Sequence, residues 1–120
     1  MKVTFLDFRC DTEWHTYRND RLALQLVATG EDPDTHPGEP VATATVNTEH
    51  RVDADELIVK DYSENEGMVD ALVEAGVVQP SFTRVSVGGY GVTCARCRLT
   101  EAARVEAFER TGKSGAARAA

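Results

Sequence analysis

The chain has 120 residues, of which 42% are hydrophobic and 28% charged, and its net charge is −7. This length suits one domain with a core that needs no disulfide or metal. No apolar run reaches the roughly 20 residues of a membrane-spanning helix, and residues 1–11 lack the long apolar stretch and small-residue cleavage site that are typical of a signal peptide. We therefore predict a cytoplasmic single domain over residues 1–112, without membrane contact. Residues 113–120, "KSGAARAA", offer no core side chain and are predicted to be a disordered tail.

Alternating apolar and polar residues predict three strands in the first half of the chain. They cover residues 2–8 ("KVTFLDF"), 21–28 ("RLALQLVA") and 41–47 ("VATATVN"). The first two are expected to form a hairpin with a long loop. Residues 29–40 contain three prolines and are also predicted to be a loop.

The centre of the chain predicts a short strand followed by a helix. Residues 56–62 ("ELIVKDY") form the strand, and the helix runs over residues 64–75. Ser63 and Glu66 have the spacing of a capping box, and a glycine at position 76 is a typical helix stop. Gly67 does not suit a helix interior, where it costs about 1 kcal/mol relative to alanine. We expect another segment to approach its backbone closely.

Two further strands and a helix complete the prediction. The strands cover residues 81–87 and 92–99, with the turn "GGYG" between them, and Thr100 can cap a helix that ends at Gly112. The predicted fold is therefore α+β. A mainly antiparallel sheet of about five to six strands packs against one central helix, with a C-terminal helix after it.

The central segment is also the most acidic part of the chain. Residues 31–74 contain 13 acidic residues against two basic ones, Arg51 and Lys60, a net charge of −11. Such a surface repels nucleic acid and attracts a basic protein, although solubility alone also accounts for a charge of this size. The candidate partner-binding residues are Asp61, Tyr62, Glu64, Asn65, Glu66, Gly67 and Asp70. An enzyme that uses the same carboxylates as acid and base is an alternative, and it requires a concave pocket with a raised carboxyl pKa.

Three cysteines offer a second kind of site. Cys10, Cys94 and Cys97 could bind zinc together with His15, and they would then define a zinc-stabilised interaction module. A strand, however, directs Cys94 and Cys97 to opposite faces, which favours ordinary half-buried cysteines. The odd number of cysteines argues against a disulfide framework.

Several motifs resemble a family of small proteins carried by bacteria and their mobile elements. The segments "RLALQLV", "ATATVN", "KDYSENEGM" and "CRL" match the family pattern, and the resemblance covers about residues 1–99. The most specific part is "DYSENEGM", at residues 61–68. Asp20 stands where the family has glycine, and Cys94 is a local feature of this chain.

The resemblance implies a cofactor-free protein without an assigned reaction, which acts in an accessory role of a phage or mobile element. Inhibition of a host defence, such as a CRISPR or restriction system, is one such role. An acidic inhibitor can present carboxylates where a defence complex holds DNA phosphates. We therefore expect a non-enzymatic protein that binds a basic host protein.

Overall fold

The computed structural model describes residues 1–88 and 91–112. Gly89 and Tyr90 of the predicted turn, and the predicted tail, lie outside this part. The described residues form seven antiparallel strands and two α-helices. In chain order the elements are β1 (Lys2–Phe5), β2 (Phe8–Thr16), β3 (Leu22–Ala28), β4 (Pro40–Thr43), β5 (Glu56–Val59), α1 (Met68–Glu74), β6 (Val78–Ser86), β7 (Thr93–Leu99) and α2 (Glu101–Thr111). The α+β prediction is confirmed, and neither helix is long and apolar enough to cross a membrane.

The first sheet has four strands in the order β1-β2-β3-β4. The predicted strand over residues 2–8 is interrupted by a two-residue turn, because Leu6 and Asp7 both have positive φ. The chain then returns as β2, of which residues 10–16 pair with β3. The long hairpin loop expected between the first two predicted strands was wrong, because most of that segment is β2.

The second sheet has three strands in the order β5-β7-β6. It is joined to the first sheet at one seam, where Thr45 pairs with Val59 across an isolated bridge. The Lys60 amide donates to the Ala44 carbonyl at the same seam, over 2.8 Å. The strands therefore divide between two connected sheets, whereas the sequence predicted a single sheet.

One hydrophobic core lies between the two sheets and the two helices. Its fully buried members include Leu24 from the first sheet, Leu57 from the second, and Leu72 from α1. From α2, Ala103 and Ala107 are also fully buried. Both sheets and both helices contribute side chains to this core.

The predicted start of the central helix was wrong. Ser63–Asn65 form a 3₁₀ turn, and α1 begins only at Met68, with Gly67 as its N-cap. Neither the 3₁₀ turn nor α1 has a side-chain hydrogen bond at its N-cap residue, so the expected capping box is absent. Ser63 has φ 57°, and the Glu66 amide donates to the Ser63 carbonyl rather than to its hydroxyl.

Gly67 is explained by its own backbone. Its φ is +91°, a left-handed conformation that glycine adopts without strain. A Cβ placed there meets no atom within 4 Å, so the close approach that we expected does not occur. The helix stop is confirmed: Gly76 has φ +77°, and the amide of Val77 donates to the carbonyl of Leu72.

The C-terminal helix begins and ends where the sequence predicts. The Thr100 hydroxyl accepts from the Ala103 amide at 3.2 Å, and Gly112 follows the helix with φ 74°. Glu106 binds this helix to the first sheet. Its carboxylate accepts from the Thr12 hydroxyl at 2.6 Å, the Trp14 indole at 2.7 Å and the N-terminal amine at 2.8 Å.

Candidate functional site

The segment 60–67 crosses from the seam between the sheets to the start of α1. Asp61, its first acid, is largely buried and forms a two-pronged ion pair with Arg84 on β6, with N–O distances of 2.9 and 2.7 Å. This geometry is the strong form of a charged hydrogen bond. Asp61 is therefore neutralised by the chain itself.

The next residues of the segment also have partners within the protein. Lys60 forms an ion pair with Glu64, and its ammonium lies 5.3 Å from the centre of the Tyr62 ring. Asn65 is buried, and its side-chain amide donates to the carbonyl of Thr43 at 2.7 Å and to that of Lys60 at 3.2 Å. Asn65 thus connects the 3₁₀ turn to β4, the last strand of the first sheet.

Three acids around α1 are different. Glu66 and Asp70 from the predicted set, and Glu74 in addition, are exposed. None of the three takes part in an ion pair with another described residue. We call Glu66, Asp70 and Glu74 the α1 acids.

The two α1 acids on the helix itself repel each other, and only one of them lies where the helix dipole favours an acid. Asp70 and Glu74 are four residues apart, and like charges at this spacing lower helix stability. Glu74 lies at the C-terminal end, where the helix dipole disfavours an acid, and the last turn has no basic residue. Only Asp70, in the first turn, suits the dipole. Glu74 was not among the residues predicted from the sequence, although its spacing from Asp70 is visible there.

Most basic side chains of the described residues are already neutralised. On β7, Arg96 bonds twice to the buried Glu56, at 2.9 and 3.1 Å. Arg98 pairs with Asp53 and Asp55 on the segment that leads into β5. Burial raises the pKa of Glu56, but bonds from Arg96 and the Asp53 amide outweigh this effect and lower it. This ion-pair network is structural, because its charges satisfy one another.

A cleft of about 580 Å³ lies beside the segment. Lys60, Glu64 and Asn65 line one side, and β4 lines the other. The hydrogen bond from Lys60 lowers the pKa of Glu64 to about 2. This shift is opposite to the raised carboxyl pKa that a general acid at neutral pH requires. The cleft therefore does not favour the acid/base alternative.

The three cysteines are buried but are not assembled into a metal site. Cys10 lies on β2 in the first sheet, whereas Cys94 and Cys97 lie on β7 in the second. Cys97 belongs to the shared core, and Cys94 lies outside it, as alternation along a strand requires. Burial raises the pKa of the Cys97 thiol to about 12. Within residues 1–88 and 91–112, no three His, Cys, Asp or Glu side chains are placed to hold a metal ion.

The chain was compared with protein families, curated proteins and solved structures. No family model, no curated protein and no solved structure matches the chain.

Proposed function

We propose that the protein is a non-enzymatic binding protein that uses the α1 acids to engage a basic surface on another protein. The observation that carries the proposal is the contrast within the acidic segment. Asp61 and Glu64 are paired with Arg84 and Lys60, whereas the α1 acids are exposed and form no ion pair within residues 1–88 and 91–112. Asp70 and Glu74 also repel each other along the helix, and binding to a basic partner would offset this repulsion.

The resemblance to mobile-element proteins supports a particular class of partner. A host-defence protein that binds nucleic acid holds Arg and Lys side chains in an arrangement suited to anions. Two carboxylates on this short helix and a third just before it can occupy part of such a surface. In this proposal the protein blocks a defence complex by competing with nucleic acid for that complex.

The test compares two triple variants that change the net charge equally. The first is Glu66→Lys, Asp70→Lys and Glu74→Lys. The control is Asp34→Lys, Glu39→Lys and Glu49→Lys, three exposed acids outside the α1 region. Tagged wild type and both variants are used to capture proteins from nuclease-treated host lysate. We expect wild type and control to capture the same stoichiometric basic protein, and the α1 variant to lose it.

A defined probe makes the result independent of the lysate. Amide NMR shifts are recorded while a Lys- and Arg-rich peptide is added at physiological ionic strength. We expect the largest shifts at residues 66–74, and we expect them to vanish in the α1 variant. Equal capture by the two triple variants, or peptide shifts that map elsewhere, would contradict the proposal.

A further inference from the structure

The outer edge of β6 is open. Among the described strands, β6 pairs with β7 alone, and residues 79–84 are all exposed. Natural edge strands are usually protected by proline, bulges or charge. In β6, Pro80 and the register shift between Val78 and Phe82 protect the first half only. The His50 ring is hydrogen-bonded to the Ser86 carbonyl at the other end. Residues 82–85 between them contain neither a proline nor a bulge and form the open part of the edge.

The pairing of β6 with β7 shows which main-chain groups face this edge. The Val87 amide donates to the Val92 carbonyl across the hairpin at 2.8 Å. Hydrogen-bonded positions alternate along an antiparallel pair, so odd-numbered residues of β6 bond to β7. The amide and carbonyl groups of Phe82 and Arg84 therefore point away from the sheet, whereas the Ser86 carbonyl on the same edge is bonded to the His50 ring.

We propose that a second copy of this chain pairs along β6, antiparallel and with a two-fold axis beside Thr83. This register places Phe82 of each protomer opposite Arg84 of its partner, in a hydrogen-bonded pair. It joins the two three-stranded sheets into one sheet of six strands. The interface is self-complementary, as a two-fold dimer requires.

The side chains of β6 suit pairing with a second copy of the same strand. Within one protomer, the Arg84 guanidinium already lies 5.7 Å from the centre of the Phe82 ring, and Phe82 is 40% exposed. The same cation–π contact can form across the axis. Arg84 is the only charged residue of β6, and Asp61 neutralises it, so two edges meet without uncompensated repulsion. β6 carries no acid, so a basic partner is not attracted to this edge.

Cysteine crosslinking tests both the edge and the register. Residues at the axis form a non-hydrogen-bonded pair with Cα atoms about 4.5 Å apart, within the range of a disulfide. Thr83→Cys should therefore crosslink under mild oxidation. Ser81→Cys is the control, because the two copies of residue 81 lie about 13 Å apart in this register. The native cysteines are buried and do not interfere.

On a non-reducing gel we expect the Thr83→Cys dimer band to exceed the Ser81→Cys band by at least about tenfold. Sedimentation of the wild type should show a concentration-dependent dimer. Equal crosslinking of both variants would overturn the register. No crosslinking, together with a wild type that sediments as a monomer at its highest soluble concentration, would overturn the dimer. Capture of a foreign extended segment at β6 by such a monomer would overturn the choice of occupant.

Discussion

At the scale of single residues, Glu106 shows how the tertiary structure sets the properties of a side chain. Burial raises the pKa of this carboxyl. The hydrogen bonds from the N-terminal amine, Thr12 and Trp14 outweigh burial and lower the pKa to about 2, from an ordinary value of 4.5. Because the pKa is lower in the folded chain than in the unfolded chain, ionised Glu106 stabilises the fold above about pH 4.5. This contribution is lost as the pH falls through about 2.

Replacement of Glu106 tests this assignment. We expect Glu106→Gln to lower the free energy of unfolding at pH 7 by on the order of 2 kcal/mol, because the ionised acceptor is lost. The difference between variant and wild type should shrink as the pH falls from 4.5 towards 2. Urea denaturation at several pH values measures it. A difference that stays constant over this range would show that the charge of Glu106 is not what stabilises the fold.

At the scale of elements, the start of α1 is set by backbone conformation. The sequence predicted a helix from residue 64, because Ser63 and Glu66 have the spacing of a capping box. That prediction failed because Asn65 is held by the carbonyls of Thr43 and Lys60, which fixes a 3₁₀ turn there. The chain then turns through Gly67, and the helix follows.

Substitution of Gly67 tests this account of the helix start. We expect Gly67→Ala to lower the free energy of unfolding by about 1–2 kcal/mol, because Cβ disfavours the left-handed conformation. Gly67→Asn is the matched control and should cost less, since asparagine tolerates this conformation. Thermal and urea unfolding measure both variants. Equal losses for alanine and asparagine would point to a role for Gly67 other than its positive φ.

At the scale of the whole molecule, the shared core makes the two sheets depend on each other. Leu57 lies on β5 in the second sheet, whereas Trp14, the single tryptophan, lies on β2 in the first. Both side chains are buried in the same cluster. Small proteins whose elements share one hydrophobic core usually unfold in one cooperative transition.

We expect Leu57→Ala to destabilise the protein by about 2–5 kcal/mol, because it leaves a cavity in this core. Trp14 fluorescence should report the full loss in the free energy of unfolding, although Trp14 is in the other sheet. Its midpoint in urea should coincide with that of far-UV circular dichroism, in variant and wild type alike. Separate midpoints for the two signals would show that the sheets unfold independently.

The sequence by itself determined the features that depend on neighbouring residues. These are the α+β class, the strands predicted over residues 21–28 and 92–99, the glycine stop at position 76, and the Thr100 cap. Each follows from alternation or from a local hydrogen bond. The strand β2 was missed because its inward positions include Thr12 and Cys10, which give only a weak apolar signal.

Only the tertiary structure decided which acids form ion pairs. Asp61 and Glu64 have the same local character as Glu66 and Asp70, and nothing in the sequence shows that Asp61 meets Arg84, 23 residues away. The structure likewise separates the cysteines and divides the strands between two sheets. These properties depend on which distant segments meet, and that is fixed by the burial of one common core, whereas local patterns describe only a few adjacent residues.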